Sequence, residues 1–391
     1  MWILNRTTMT RYAWPQELTR FAKGPQSPQE RIWWDRYSHE KLNAWRQVQD
    51  PLADRCAAQI KFTRPSGLLD EVERRAETEG GDFQAFLDHC HTVPSWVDFE
   101  EMELGRRMYR RNGALQGLVL MCSSLVEGYA HNKPSQVLVA TGRLQKDVSR
   151  RIYETGQMLH NIVGDDGIRP GGLGHRTLME VRLLHAAVRQ FLANNPRWDN
   201  EKYDLPINQE DMAGTVLEFD FMVVRGLKRL GLPISRREHE SMHYFWRYAG
   251  YLLGVNEALL TSTLEEQSVL AMQLTSHLYD PTPDSESLAK ALLKDMSGKP
   301  PFNLSYDVLL AFSRYLIGDQ VADDLNIHST IPASAAVRVV KTAITTASFG
   351  LRLLPDPAKR ALEGLNHQLG RRTLKAGLGD NPARWGFKAL A

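Results

Sequence analysis

Apolar residues recur every three to four positions along most of this chain, and charged residues fill the positions between them. Residues 28–48 and 67–90 follow this pattern, which predicts amphipathic α-helices. Residues 98–112 (DFEEMELGRRMYRRN) place acids first and arginines last, the order that the helix dipole favours. Patterns typical of strands are scarce. The chain is therefore predicted to be all-α.

The least polar helical segments lie in the middle of the chain, from residue 113 to residue 260. We expect them to form a buried layer. Clusters of proline, glycine and asparagine, which end helices, separate the predicted segments. These breaks are HNKP at 131–134, DDGIRPGGLG at 165–174, NNPRWDNEKYDLP at 194–206, SGKPP at 297–301, IPAS at 331–334 and LPDP at 354–357.

Composition and charge narrow the class of protein. The 391 residues carry a formal net charge of +2, with 42% hydrophobic and 24% charged residues, as in soluble globular proteins. This balance, without blocks of like charge, argues against a nucleic-acid partner. The N-terminus, MWILNRTTMTRYAW, lacks the features of a signal peptide. The longest apolar stretch, 117–126, is too short to span a membrane. We therefore expect a cytoplasmic protein.

Residues 239–243 read HESMH, the H-E-x-x-H spacing with which a helix presents two imidazoles to zinc and a carboxylate to its water. A zinc hydrolase is one interpretation, with Glu257 or Glu265 as the nearest downstream third ligand. The other interpretation is core packing. Ser235 and Glu238 fit a capping box, so a helix should begin directly after Ser235 and place both histidines on an apolar stripe. We favour core packing.

Residues 176–192 (RTLMEVRLLHAAVRQFL) predict a helix in which His185 lies among apolar residues. Arg182 and Arg189 lie three residues before and four residues after His185, so we expect all three on one face. An imidazole flanked by two guanidinium groups suits haem. His185 would then be the axial ligand of the iron, and the arginines would bind the propionates. A hydrogen-bonded core histidine is the alternative.

Residues 143–163 (RLQKDVSRRIYETGQMLHNIV) predict a second helix of interest. Arg151 and Thr155 are four residues apart and therefore aligned on its surface. Thr155 could instead bond to the backbone one turn earlier, and Arg151 could form an ion pair with Glu154. Spacing alone leaves these alternatives open.

The segments TGRLQKDVSRRIYET (141–155) and VRLLHAAVR (181–189) occur with others in a specific order. The others are DPLAD at 50–54, VPSWVD at 93–98, SLVEGYA at 124–130, PINQEDMAGTVLEFDFMVVRGLKRLG at 206–231 and FWRYAGYLLGV at 245–255. This ordered set resembles the MpaB and latex-clearing-protein family of haem b oxygenases. The resemblance implies an all-α, globin-like helical core with additional N- and C-terminal helices, and haem b as the cofactor.

Carried over by position, His185 resembles the axial ligand of the haem iron. Arg151 and Thr155 resemble the residues on the other side of the haem, and Arg182 and Arg189 resemble the arginines that flank the ligand. Rubber-cleaving members carry a lysine just before the threonine, where this chain has Glu154. That exchange of a cation for a carboxylate argues against polymeric rubber as the substrate.

The resulting hypothesis is a haem b-dependent oxygenase that acts with O2 on an apolar, unsaturated, isoprenoid-like small molecule. Arg151, Glu154 and Thr155 would be its catalytic residues. A non-enzymatic globin-like gas binder or sensor is the alternative, and the zinc hydrolase is a remote one. We expect an N-terminal helical extension at 1–49, one haem-binding domain at 50–350 and a helical tail at 351–391.

Overall fold

The computed structural model describes residues 18–60, 67–142, 148–352 and 354–379. Within these ranges the regular elements are helices, and the β contact is a single bridge between His131 and Tyr279. The prediction of an all-α fold is confirmed.

The α-helices of the described ranges are numbered in chain order. They are α1 (Pro28–Arg36), α2 (His39–Trp45), α3 (Pro51–Gln59), α4 (Leu68–Glu79), α5 (Gly81–His91), α6 (Phe99–Val119), α7 (Leu125–Gly128), α8 (Asn132–Ala140), α9 (Val148–Ile162), α10 (Leu173–Ala193), α11 (Asn200–Tyr203), α12 (Gln209–Phe219), α13 (Phe221–Arg229), α14 (Arg236–Leu252), α15 (Leu264–Leu278), α16 (Pro283–Met296), α17 (Tyr306–Ile317), α18 (Asp319–Asp324), α19 (Ala333–Arg352) and α20 (Asp356–Leu378). A π-helical segment, Leu120–Ser124, joins α6 to α7.

Local capping chemistry sets several helix starts. The Ser27 hydroxyl accepts a hydrogen bond from the Glu30 amide at 3.1 Å, and Pro28 occupies the first turn of α1. Ser235 and Glu238 form the predicted capping box, and α14 begins at Arg236. The N-terminal boundary inferred for the HESMH helix is therefore confirmed.

Helix α6 is longer than its sequence pattern indicates. The pattern of charges ends near Asn112, but the helix continues to Val119 and then through the π-helical segment. Asn112 departs from helical geometry, with φ −119° and ψ 18°. Its side-chain amide donates to the Met108 carbonyl at 2.9 Å. The backbone irregularity is a kink in the helix, and this hydrogen bond bridges it locally.

Helices α6 and α14 approach each other closely at Gly105. A Cβ at Gly105 would lie 2.5 Å from the Met242 backbone nitrogen, and the Gly105 amide donates to the Ser241 hydroxyl at 2.7 Å. Only glycine has no side chain to separate the two backbones here. The crossing places α14, with its HESMH segment, in the main hydrophobic core.

The elements that matter for function lie side by side. Helix α9 packs against α10, α3 packs against the outer side of α10, and α20 packs against α6 and α9. At the other end of the chain, α1 and α2 pack against α15. The described parts of the predicted N- and C-terminal extensions therefore pack against the core helices. The predicted division into domains stays a prediction.

No helix in the described part of the chain is both long and apolar enough to cross a membrane. The apolar stretch at 117–126 falls in α6, the π-helical segment and α7. Several of its side chains, including Val119, Cys122 and Val126, are fully buried in the main core. The cytoplasmic location stays a prediction.

Replacing Gly105 with alanine should lower the free energy of unfolding by about 1–3 kcal/mol, because a methyl group has no room between the two backbones. Gly117→Ala in the same helix is the control, since a Cβ there meets no atom within 4 Å. It should leave stability unchanged or raise it by up to about 1 kcal/mol through helix propensity. Urea unfolding measures both. Equal stability of the two variants would contradict the close approach.

Candidate haem-binding cavity

Helices α9 and α10 form two walls of a cavity of about 330 Å³, and α8 and α12 contribute to the others. Its apolar lining includes Leu138, Ile152, Met158, Val181, Leu184 and Val188. Four residues singled out in the sequence, Arg151, Glu154, Thr155 and His185, also line it. Convergence of a few polar groups in an apolar cavity is typical of a ligand site.

His185 lies on α10 and borders the cavity. Its Nδ1 is buried and has no hydrogen-bond partner among the described residues. Burial first, and then the charge of Arg189, lower the pKa of the imidazole to about 4. The ring is therefore neutral at physiological pH, the form in which histidine binds metals. His131, His175 and His239 also have one buried ring nitrogen without a partner among the described residues, but these three do not line the cavity.

Arg182 and Arg189 do not line the cavity. Arg182 donates to the two carboxylate oxygens of Asp50 at 2.6 and 2.9 Å, and Arg189 donates to Asp54 at 2.6 Å. All four residues lie at the contact between α3 and α10. Although burial raises the pKa of the Asp50 carboxyl, Arg182 and Arg189 hold that pKa below its ordinary value.

The expectation that both arginines share the face of His185 is therefore corrected. An α-helix has 3.6 residues per turn, so Arg182 and Arg189, which are seven residues apart, point in nearly the same direction. His185 lies about 40–60° around the helix axis from both of them. That angle is enough to direct the arginines to α3 and the imidazole to the cavity. The structure does not bring Arg182 and Arg189 together with Arg151, Glu154 and Thr155.

Helix α9 presents its own polar groups to the cavity. The Arg151 Nη2 donates to the Tyr129 hydroxyl at 2.8 Å. Its Nη1 is buried and without a partner in the described part of the chain. Glu154 accepts from Arg150 Nε at 3.0 Å, and Thr155 lines the cavity one turn after Arg151. Arg151 thus keeps donor capacity for a ligand.

Helix α12 contributes three polar residues that sequence reasoning missed. Asp211, Thr215 and Glu218 line the cavity, and their spacing of four and three residues forms a polar stripe along one face of the helix. This stripe is visible in the helix sequence, QEDMAGTVLEF, and was the available indication that these three residues share a site. The Glu218 carboxylate packs over Gly128, where any Cβ would collide with it.

Burial, and then the charge of Glu127, raise the pKa of Glu218 to about 8 against the opposing charge of Arg151. Burial likewise raises the pKa of Asp211 to about 6. Glu218 is therefore a protonated acid at neutral pH, held at the wall of the cavity. Such a group can donate or accept a proton near pH 7.

The HESMH segment lies elsewhere, in the core around α14. His243 Nδ1 is 2.7 Å from Asp220 Oδ2, and its Nε2 is 3.0 Å from the Thr261 carbonyl. Both ring nitrogens are thus engaged, as expected of core packing. Glu240 binds Arg236 at 2.7 Å on the surface. Among the described residues, no cluster of three histidines, cysteines or acids could hold a metal ion.

Comparisons with known proteins are consistent with this geometry. Residues 110–349 match the family model for the catalytic domain of the ER-bound oxygenase mpaB/B′ and rubber oxygenase. The rubber oxygenase of Streptomyces sp. (strain K30) is 26% identical over 329 residues, which cover 81% of this chain and 79% of that protein. The structure of a latex clearing protein in the closed state superposes with a TM-score of 0.60 at 23% identity, covering 84% of this chain and 91% of that chain.

Replacing Glu218 with glutamine should change how stability depends on pH. The native carboxyl keeps its proton up to a pKa of about 8, whereas the unfolded one releases it near its ordinary pKa of about 4.3. Unfolding therefore releases a proton between these values, and the parent loses stability as the pH rises through this window. Glutamine cannot titrate, so the variant should escape that loss.

The measurement is urea unfolding of the purified protein without added cofactor between pH 5 and pH 9, with the exposed Glu201→Gln as the control. The stability of Glu218→Gln relative to the parent should increase steadily towards pH 8. A difference that stays constant with pH would show that Glu218 is already ionised in the native cavity.

Proposed function

Because this chain belongs to the family of MpaB and rubber oxygenases, and is thus an oxidoreductase, we propose that it is a haem b-dependent oxygenase with His185 as the axial ligand. It acts with O2 on an apolar, unsaturated, isoprenoid-like small molecule. One observation carries the proposal: a neutral imidazole without a described hydrogen-bond partner borders a cavity that also holds Arg151, Glu154 and Thr155.

The residues of the cavity fit a haem. Two buried polar atoms on its lining residues, His185 Nδ1 and Arg151 Nη1, have no partner in the described part of the chain. Such atoms are costly unless a ligand or water satisfies them. His185 would bind the iron, Arg151 would donate to a carboxylate or to bound oxygen, and Met158, Val181 and Leu184 would contact the macrocycle. When bound, haem supplies the redox chemistry that activates O2.

The other polar groups of the cavity handle charge and protons. Thr155 has a hydroxyl that donates or accepts, and Glu154 and Glu218 have carboxyl groups. Cleavage of a carbon–carbon double bond by O2 places one oxygen atom on each carbon, so both atoms leave in two carbonyl products and no external reductant is consumed. A protonated Glu218 beside Arg151 supplies a proton where negative charge develops on oxygen and recovers it afterwards.

In this proposal Arg182 and Arg189 do not contact the haem and act only through the position of α10. They hold α10 against α3 through Asp50 and Asp54, and so set the direction of His185. They are positioning residues, and haem propionates would find other partners. This replaces the role that the resemblance implied for them.

A small substrate fits this chain better than a polymer. The Streptomyces relative is a rubber oxygenase, but Glu154 stands where rubber-cleaving members carry lysine. Glu154 lines the cavity of about 330 Å³ in which the haem is proposed to bind. The charged groups around it also favour an oxygenase over a gas carrier, because buried charge is costly where no reaction uses it.

His185→Gly should abolish tight hemin uptake by the purified protein, because it removes the imidazole that would bind the iron. Titration with hemin followed by the Soret band measures this, and added imidazole should restore the parent spectrum. His175→Ala is the matched control on the same helix, since His175 is buried and bonded to the Cys90 carbonyl and does not line the cavity. Parent-like hemin affinity in His185→Gly would remove the axial ligand from this proposal.

Incubation of the haem-loaded protein with small isoprenoid alkenes and ¹⁸O-labelled O2 should give carbonyl fragments that carry the label, detected by mass spectrometry. Glu154→Gln should lower the rate at least several-fold if Glu154 moves a proton, and the surface variant Glu240→Gln should match the parent. Reversible O2 binding without labelled product across the panel would favour the gas-binding alternative.

A further inference from the structure

A second cavity, of about 590 Å³, lies against α9 and adjoins the first. Leu125, Ile152 and Thr155 line both cavities, so a wall one side chain thick separates them. The rest of the lining is largely apolar and includes Leu120, Met121, Leu159, Val163, Phe302 and Leu374. A molecule in the second cavity would therefore lie next to the proposed reaction centre.

Helix α20 forms one wall of the second cavity, through Asn366, His367, Leu369, Gly370, Thr373 and Leu374. This helix lies beyond residues 110–349, the span that matches the family model. It is held in place by specific contacts. Arg107 Nε donates to Glu363 at 3.0 Å, and the Asn366 amide donates to the Arg111 carbonyl at 2.7 Å. Specific side-chain contacts of this chain therefore maintain the wall of the second cavity.

The charged residues differ between the two cavities. Asp211, Glu154 and Glu218 line the first, together with the cation Arg151. The described residues that line the second cavity include no acid. They include four basic residues, Arg110, Arg111, His160 and His367. Arg111 is matched by Glu238 at 2.9 Å. Arg110 pairs with the largely exposed Asp165, and its buried Nε has no partner in the described ranges.

The basic groups are gathered at one end. The rings of His160 and His367 are stacked with their centroids 3.7 Å apart. Burial, His367, Arg371 and Arg110 together lower the pKa of His160 to about 4. Burial and Arg110 also lower the pKa of His367, so both rings are neutral and Arg110, with its unpartnered Nε, is the cation that faces them. His160 lies eight residues beyond Ile152 on α9, or about 12 Å along the helix axis. The positive end and the shared wall are therefore well separated.

We propose that the second cavity binds an unsaturated aliphatic chain that ends in a carboxylate. The carboxylate lies at Arg110, His160 and His367, and the chain runs along α9 towards the wall formed by Leu125, Ile152 and Thr155. This names the class of substrate for the proposed oxygenase, and its reactive part rests on that proposed function. Binding itself requires no haem.

The test is equilibrium dialysis of radiolabelled oleic acid, an unsaturated chain with a carboxylate, against the full-length protein with and without hemin. We expect saturable binding with about one site in both forms. Oleyl alcohol, which has the same chain without the charge, should compete at least ten-fold less well. Gly117→Leu should weaken oleic acid binding at least ten-fold, because Gly117 lines the second cavity and a Cβ there meets no atom within 4 Å.

Two controls separate blocked binding from damage to the fold. Gly364→Leu on α20 also meets no atom within 4 Å but lies outside the lining, and it should bind oleic acid like the parent. Gly117→Leu should keep the parent affinity for hemin, since Gly117 does not line the first cavity. Arg110→Gln should remove the preference for the acid over the alcohol.

The outcomes distinguish this inference from the proposed function. Oleic acid binding that survives Gly117→Leu, or that does not occur, overturns the second site even if hemin binds at His185. Equal affinity for acid and alcohol overturns the carboxylate assignment. Saturable, Gly117-dependent binding in a protein that takes up no hemin supports the site and overturns the haem proposal instead.

Discussion

The buried ion pairs between α3 and α10 are the constraint on which the proposed site depends. Arg182 and Asp50 have side-chain exposures of 3% and 6%, and leaving either charge alone at such a position costs about 3–5 kcal/mol. Gly254, with φ +87°, lies against both, and a Cβ there would lie 2.6 Å from Arg182 Nε. Helix α10 can therefore adopt one rotation about its axis, and that rotation turns His185 towards the cavity.

Helix α9 is held by close packing and separates the two cavities. Tyr153 packs against Gly377 of α20, Gly156 lies against Leu374, and the Tyr153 hydroxyl donates to the Pro300 carbonyl at 2.7 Å. The absence of side chains at the two glycines lets the helices approach, and the same approach closes the second cavity. Because Thr155 lines both cavities, a shift of α20 that moves α9 would change the shape of both cavities.

Sequence periodicity predicted the helical class, the capping box at Ser235 and the helices that carry Arg151 and His185. It did not predict what each face contacts. The acids of DPLAD are the partners of Arg182 and Arg189, but 132 residues separate Asp50 from Arg182 along the chain, and spacing within one helix carries no information about such a contact. Glu218 was missed for a related reason, since an acid on an apolar helix becomes informative only when the cavity beside it is known.

The ionisable residues of the first cavity relate this packing to the proposed reaction with O2. Burial raises the pKa of Asp211 to about 6, although Arg46 pairs with it at 2.9 Å, and raises that of Glu218 to about 8. At neutral pH Glu218 then holds a proton while Arg151 stays charged. The ion pair between Arg182 and Asp50 fixes the rotation of α10, so His185 stays directed towards the same cavity. The fold thus holds a proton donor, a guanidinium and a neutral imidazole at one cavity, a combination that the proposed oxidative cleavage of an alkene can use and that oxygen storage does not require.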